Sequence, residues 1–211
     1  MGKASLERWV DLCSRLEVGK EPEMWYGELE KAYSSPVRAY HNLEHVAFCL
    51  EQFELLRSLA THAKAVELAI WFHDSIYDTR SNENEQKSDE FAQQVIEDMG
   101  LEDSLCELVS GLILVTKHDI EPKNTNEKII LDVDLAILGQ GSEEFDAYEV
   151  AVREEYAWVA EQTYRRKRAE VLRSFLERKS IFSTPVFIRK YEEVARENLA
   201  NSIRRLTETA Y

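Results

Sequence analysis

The spacing of the apolar residues constrains this chain more than any other feature. They recur every three or four positions, as in Val46, Leu50 and Phe53, and almost no stretch alternates apolar with polar residues. This spacing places side chains on one face of an α-helix, whereas a half-buried strand needs alternation. Only 7 Gly and 4 Pro interrupt the 211 residues. The sequence therefore predicts an all-α protein.

Capping and turn residues divide the helical pattern into segments. Gly100 has the usual place of a glycine after a helix, Asn124 with Glu127 resembles a capping box, and Thr184-Pro185 is typical of a helix start. Helices are predicted at about residues 6–16, 22–33, 46–56, 66–73, 83–99, 102–117, 143–162 and 164–178, with a last one after Thr184.

Residues 129–138 are the ambiguous segment. Their partial alternation could form a strand with Asp132 and Asp134 on one face. We favour a helix, because a capping signal precedes the segment and the sequence offers no second strand to pair with it.

Composition narrows the class of protein. About 44% of the residues are apolar, enough for a hydrophobic core that needs no disulfide or structural metal to stabilise it. No apolar run reaches the roughly 18 to 20 residues that cross a membrane, and the first residues lack the apolar run of a secretory signal. The cysteines at 13, 49 and 106 are scattered and form no C-x-x-C pair. These features predict a cytoplasmic protein that does not bind membranes.

The charge balance limits the partners. The chain has 26 Lys and Arg against 40 Asp and Glu, a formal net charge of −14. So acidic a chain is poorly suited to grip long nucleic acid. One small phosphate group can still bind at a metal or at a local basic patch, so nucleotide chemistry stays open.

Two histidines four residues apart, His41 and His45, form the first candidate site. This spacing predicts both imidazoles on one helical face, as two metal ligands or as one ligand beside a proton donor. For this pattern alone, a solvated or hydrogen-bonded pair is the alternative.

The dipeptide His73-Asp74 is the second candidate. It follows the apolar residues Val66, Ala69 and Ile70 at helical spacing. A carboxylate on an apolar face costs several kcal/mol unless it is paired or bound to a metal. A buried aspartate that hydrogen-bonds to nearby backbone is the alternative.

Asp134 is preferred over Asp132 as a further ligand. Its helical neighbours three and four residues away are all Ile or Leu, so it lies on the more apolar side of the segment. Residues two apart are about 200° apart around a helix, so both aspartates are not expected to reach one site. Asp132 is interpreted as a supporting residue or a surface charge.

Together these residues place two imidazoles and two carboxylates on otherwise apolar helix faces. Such a set suits one or two divalent ions, among Mn²⁺, Mg²⁺, Fe²⁺, Ni²⁺ and Zn²⁺, without selecting one of them. Cys49 lies one turn from His45 and is interpreted as a core thiol.

The order His…His-Asp…Asp on helices resembles the HD superfamily of metal-dependent phosphohydrolases. The segment Tyr40-His41-Asn42-x-x-His45 is similar to the metal-site motif of cyclic-nucleotide phosphodiesterases, a branch of that superfamily. The similarity is closest to a less characterised group of HD phosphohydrolases of about this length. It extends over residues 71–78, 84–88, 131–139 and 195–199, most of the chain.

The resemblance implies roles for single residues. His45, His73, Asp74 and Asp134 match the four metal-binding positions, and Asp74 could bridge to a second ion. His41 matches the residue that protonates the leaving oxygen, so His41 and Asp74 are the candidate catalytic residues. The chain is shorter than the phosphodiesterases and lacks most of their nucleotide-pocket pattern.

Other residues are weaker candidates. His118, near a helix end, and Asn84 and Glu85, at a loop-to-helix junction, could contact a second metal or the substrate. A surface histidine and simple helix-end acidity are the alternatives. Arg168, in the basic run that begins at Tyr164, is a candidate phosphate ligand, and a solvated helix face paired with glutamates is the alternative.

The leading hypothesis is a single HD-type domain over residues 1–211, with a metal-binding core at about 36–140 and C-terminal helices at about 142–211. It would hydrolyse a small phosphate ester, such as a nucleotide or related metabolite, with metal-activated water. The alternatives are a non-catalytic regulatory module that binds metal or nucleotide and a di-iron HD-like oxygenase. Candidate partners are a small phosphorylated substrate and a second copy of the chain in a homodimer.

Overall fold

A computed structural model describes residues 4–19 and 21–208. Within these residues the chain forms ten α-helices and no strand, so the all-α prediction is confirmed. The helices are α1 (Leu6–Arg15), α2 (Pro22–Tyr33), α3 (Leu43–Glu54), α4 (Ala63–Phe72), α5 (Asn84–Asp98), α6 (Asp103–Val115), α7 (Thr125–Asp134), α8 (Ser142–Glu155), α9 (Glu161–Leu176) and α10 (Pro185–Thr207). None of the helices in the described ranges combines the length and apolar character needed to cross a membrane.

The ambiguous segment is helical, as predicted. The Asn124 Oδ1 accepts a 3.0 Å hydrogen bond from the Glu127 N–H, and the Glu127 carboxylate accepts one from the Lys123 N–H, so both side chains cap the start of α7. The α-helix ends at Asp134 and continues as a 3-10 helix, Leu135–Gly139.

The predicted helix at 143–162 is too long. It ends at Glu155, and a turn separates it from α9. The Arg153 guanidinium donates hydrogen bonds of 2.7 and 3.2 Å to the carbonyls of Tyr156 and Val159. These bonds to carbonyls of the turn stabilise the break between the two helices, which the continuous charged pattern of the sequence does not reveal.

The chain divides into two compact units between Asp134 and Leu135. The first therefore includes α1 and α2, which the sequence analysis left outside the metal-binding core. Residues 135–140, which it placed in that core, fall in the second unit.

Helix α4 is the central element of the first unit. Every residue from Ala65 to Phe72 is buried, and the helix contacts α1, α3, α5, α6 and α7. Glu67 within it forms ion pairs with Arg15 (2.8 Å) and Arg57 (2.9 Å), which offset the desolvation of its carboxylate. The buried path of α4 carries His73, the next residue, into the interior.

The second unit contains the 3-10 helix and α8 to α10. Helix α10 contacts both α9 and the 3-10 helix. The Asn198 Nδ2 donates 2.9 Å hydrogen bonds to the carbonyls of Leu138 and Gln140, so one amide satisfies two backbone groups at the end of that 3-10 helix. Gly139 lies directly against the side chain of Tyr191.

Replacing Gly139 with Ala should destabilise the protein, because the new Cβ would overlap the Cβ of Tyr191. We expect the free energy of unfolding to fall by about 1–3 kcal/mol, the usual cost of overpacking. Gly111 is the matched control, since a Cβ there meets nothing within 4 Å and the residue lies inside α6. Gly111→Ala should raise the unfolding free energy by up to ~1 kcal/mol. Urea denaturation measures both, and equal effects of the two substitutions would contradict this packing.

Candidate metal centre

The first histidine pair lies on either side of the start of α3. Asn42 is the N-cap, and its Oδ1 accepts a 2.8 Å hydrogen bond from the Glu44 N–H. His45 lies in the first turn, whereas His41 precedes the helix. The prediction that both imidazoles share one helical face is therefore wrong, because the capping asparagine starts the helix between them. Their ring centroids are nevertheless 5.9 Å apart.

One contact fixes the tautomer of His73, which caps the carboxyl end of α4. Its Nδ1 lies 2.9 Å from the carbonyl oxygen of Ile70. A carbonyl only accepts hydrogen bonds, so Nδ1 carries the proton and donates. In the neutral ring Nε2 then keeps its lone pair, as is typical of a metal-binding histidine.

His45 presents the same ring nitrogen to the same place. Its Nδ1 lies 3.1 Å from the Tyr40 hydroxyl oxygen, and its Nε2 lies 3.1 Å from Nε2 of His73. The Tyr40 hydroxyl can donate or accept, and in the tautomer whose Nδ1 donates to it the Nε2 of His45 also keeps a lone pair. Two lone pairs that face each other at this distance repel unless a proton or a cation lies beside them.

Two carboxylates complete the cluster. Asp74 Oδ2 lies 3.4 Å from Nε2 of His45 and 3.3 Å from Nε2 of His73. Asp134 Oδ1 lies 3.3 and 3.6 Å from the same two nitrogens. An ion bonded at about 2.1 Å separates neighbouring ligand atoms by about 3.0 Å in octahedral and about 3.4 Å in tetrahedral geometry. The cluster therefore has the dimensions that a divalent cation requires.

Cys49 also borders the cluster. The ligand atoms of His45, Cys49, His73 and Asp134 lie within 4.8 Å of one another, so these residues could hold a metal ion. The Cys49 Sγ lies 3.7 Å from Nδ1 and 3.6 Å from Nε2 of His45. These nearly equal distances place the sulfur against the ring rather than in line with the Nε2 lone pair. The thiol therefore packs beside the site, whereas Asp74 is close to both Nε2 atoms.

Burial and charge act in opposite directions on these groups. Burial alone would lower the pKa of His73, but Asp74 and Asp134 raise it well above its ordinary value. Burial would also lower the pKa of His45, but the adjacent thiol and phenol and both carboxylates raise it. Burial would raise the pKa of each carboxyl, yet the surrounding imidazoles hold both well below the usual range. The carboxylates stay charged, and the cluster attracts positive charge from protons or from a cation.

Arg38 holds the backbone of Asp74, and sequence reasoning did not identify it. Its guanidinium donates hydrogen bonds of 2.5 Å to the Asp74 carbonyl and 3.1 Å to the Ala32 carbonyl. The residue is buried, and its Cζ lies 4.9 Å from the centroid of the Tyr33 ring. No motif marks such an arginine in the sequence, because its acceptors are carbonyl groups that every residue has.

Aromatic rings orient His41 beside the cluster. Its ring stacks on Tyr77, with centroids 3.9 Å apart and an angle of 20° between the planes. The ring of Tyr40 meets it edge-on at 5.0 Å. These two contacts restrict the plane of the His41 imidazole close to His45.

The two aspartates of α7 lie in different positions relative to the cluster. Asp134 is the last residue of the helix and reaches both imidazoles of the cluster, and its role as a metal ligand stays a prediction. Asp132 is 1% exposed, so its interpretation as a surface charge is wrong. A supporting role for Asp132 stays a prediction.

The weaker candidates have different surroundings. His118 is next to the cluster, with Nε2 2.8 Å from Asp134 Oδ2. The Asn84 side chain both accepts from the Asp78 N–H and donates to the Asp78 carbonyl, each at 3.0 Å, so it closes the loop before α5. Glu85 lies in the first turn of α5, and its role with metal or substrate stays a prediction.

Arg168 lies in the second unit and is engaged within it. Its guanidinium binds the Glu149 carboxylate through Nε (3.1 Å) and Nη2 (2.5 Å) and the Tyr148 hydroxyl at 2.7 Å. The side chain is 11% exposed and links α9 to α8. These contacts explain Arg168 by packing, and phosphate binding by this residue stays a prediction.

Comparison with known proteins finds no relative of this chain. No family model, no curated protein and no solved structure matches it.

A bound divalent ion should stabilise the protein, because the unfolded chain has no assembled cluster to bind it. At a free Mn²⁺ concentration of about 100 times Kd, the gain is about 2.7 kcal/mol. Thermal unfolding of one sample, treated with a chelator and then with Mn²⁺, measures this as a fall and recovery of Tm. The variant His62→Gln, which changes an exposed histidine outside the cluster, should show the same response. A Tm that saturating Mn²⁺ leaves unchanged would contradict a metal centre.

Proposed function

We propose that this protein is an HD-type, metal-dependent phosphohydrolase that uses activated water to cleave a small phosphate ester. The observation that carries the proposal is the convergence of two imidazole nitrogens, 3.1 Å apart, with two carboxylate oxygens that each lie 3.3–3.6 Å from both nitrogens. The resemblance of the sequence to the HD superfamily supports the same residues in the same roles.

The donor set suits this chemistry. His45, His73, Asp74 and Asp134 would hold a divalent ion, among Mn²⁺, Mg²⁺, Fe²⁺, Ni²⁺ and Zn²⁺. Such an ion lowers the pKa of a bound water and neutralises charge on phosphoryl oxygens. The two carboxylates would leave the site less positive than an all-histidine set would. His45 and Asp134 lie on helices, and His73 and Asp74 lie in the turn that directly follows α4.

His41 would supply the proton that the leaving oxygen needs. A ring nitrogen of His41 could donate this proton as the ester bond breaks, which is general-acid catalysis. The stacking on Tyr77 and the edge contact with Tyr40 restrict the ring and so reduce the cost of orienting the donor. A binding module without turnover has no need of such a donor.

The proposal also covers substrate and location. A small phosphorylated metabolite or nucleotide fits the acidic chain better than long nucleic acid does, because the net charge is −14. The cysteines Cys13, Cys49 and Cys106 are all free, which supports a reducing, cytoplasmic setting.

Replacing Asp74 with Ala should abolish both metal binding and hydrolysis, because the cluster loses a ligand that faces both imidazoles. We expect less than one tenth of the wild-type metal content by elemental analysis and activity at the background rate. Asp98→Asn is the matched control, since this carboxylate is exposed at the end of α5 and should leave both quantities unchanged. Full metal content and activity in the Asp74 variant would refute the assignment.

A substrate panel identifies the reaction. Phosphate monoesters, diesters and nucleoside triphosphates are each tested with Mn²⁺, Mg²⁺, Fe²⁺ and Ni²⁺. Hydrolysis that requires Asp74 supports the proposal. Tight metal binding without turnover of any substrate would favour the regulatory module, and oxygen consumption with Fe²⁺ would favour the oxygenase.

Replacing His41 with Gln should slow hydrolysis most for esters with poor leaving groups, because these need a proton on the departing oxygen. The expected loss is roughly 10²- to 10⁴-fold for an alkyl ester, the usual contribution of a general acid. A p-nitrophenyl ester leaves without protonation and serves as the internal control, with a much smaller loss in the same variant. Equal losses for both esters would show that His41 has another role.

A further inference from the structure

The two oxygens of Asp134 have different surroundings. Oδ2 lies 2.8 Å from Nε2 of His118, whereas Oδ1 lies 3.3 and 3.6 Å from the nitrogens of His45 and His73. A separation near 2.8 Å is the length of a charge-assisted N–H···O hydrogen bond. The longer separations exceed good hydrogen bonds and match atoms that share an ion. One oxygen thus faces the cluster while a hydrogen bond holds the other.

His118 reaches Asp134 from a backbone conformation that L-residues rarely adopt. Its φ is +60°, in the turn that ends α6, and its N–H donates 3.1 Å to the Val115 carbonyl. Glycine is the usual residue at such a position after a helix. A histidine there carries backbone strain, and strained residues of this kind concentrate at functional sites.

We propose that His118 is a positioning residue, which donates its Nε2–H to Oδ2 of Asp134 and so presents Oδ1 to a single divalent ion. The inference rests on the proposed function only in taking Asp134 as a metal ligand, and it does not require hydrolysis.

The alternative role for His118 is that of a ligand to a second ion. Nε2 is engaged with Asp134, so only Nδ1 could bind a second ion in this arrangement. Asn84, another residue considered for a second site, closes its own loop through Asp78. A carboxylate without a hydrogen-bond partner can rotate and exchange its two oxygens. A hydrogen bond to one oxygen therefore fixes which oxygen faces the ion. Removal of such a partner typically lowers metal affinity by roughly 10- to 100-fold.

Three substitutions of His118 test the role in the full chain, with Mn²⁺ alone as the probe. His118→Ala and His118→Gly both remove the donor, so each should lower Mn²⁺ affinity by roughly 10- to 100-fold, measured by calorimetric titration. His118→Gln places an amide N–H at about the same distance from the backbone as the imidazole Nε2–H, so it should retain most of the Mn²⁺ affinity. His62→Gln controls for the loss of a histidine elsewhere.

The glycine variant distinguishes the effect of losing the imidazole ring from the effect of backbone strain in the turn. At φ +60° glycine is unstrained and alanine is not, so metal-free His118→Gly should unfold at a higher temperature than His118→Ala. If the only role of His118 were to form the turn, glycine would restore Mn²⁺ affinity along with stability. We expect stability to recover and affinity to stay low.

Several outcomes overturn the inference. Unchanged affinity in His118→Ala would show that the ring is not needed, and restored affinity in His118→Gly would assign the effect to the backbone. Two Mn²⁺ ions per wild-type chain, with one lost in His118→Ala, would make His118 a second-metal ligand. If the expected pattern holds but no phosphate ester is cleaved, the inference stands and the proposed function fails. If esters are cleaved but the His118 variants bind Mn²⁺ with the wild-type affinity, the proposed function stands and this inference fails.

Discussion

The convergence of two buried imidazoles and two partly exposed carboxylates is the constraint on which the first unit depends. Two carboxylates and two imidazoles meet where water is largely excluded, and taking such charges out of water costs several kcal/mol per ion. The cost is tolerable only if positive charge is present at the same point. Protons on the imidazoles can supply this positive charge. The pKa of each imidazole is raised and the pKa of each carboxyl is lowered, as expected for a site that favours it. A divalent cation would supply it more completely.

The surrounding structure holds these groups together against their repulsion. Helices α3 and α7 supply His45 and Asp134, and the turn after α4 supplies His73 and Asp74. Because α4 is buried along most of its length, its end has little freedom to shift. Arg38 and the Tyr33 hydroxyl bind carbonyls at that end, those of Asp74 and Trp71. Packed helices and backbone hydrogen bonds of this kind hold side chains close to one geometry.

The sequence predicts the helices and most of the residues that meet in the cluster better than it predicts what supports them. His45, His73 and Asp134 could be found because a polar residue on an apolar helix face violates the pattern around it. His41 was linked to His45 through the wrong geometry, since periodicity does not reveal that Asn42 caps the helix between them. Arg38 and the contact of His118 with Asp134 were not predicted. Both depend on where the chain turns between helices, and turns leave no periodic signal.

The placement of the two aspartates conflicts with a local rule of helix stability. Asp134 is the last residue of α7, and Asp74 follows the capping residue of α4, so both carboxylates lie at helix carboxyl ends. The helix dipole is negative there, and it disfavours an anion by about 0.3–1 kcal/mol while favouring a cation by a similar amount. Two negative helix ends and two carboxylates directed at one point therefore favour a cation there, whereas the first turn of α3, which carries His45, has the opposite dipole. Local rules are expected to fail at functional sites and hold elsewhere. Because both violations occur at the same cluster, the arrangement is better explained by cation binding than by the stability of the helices.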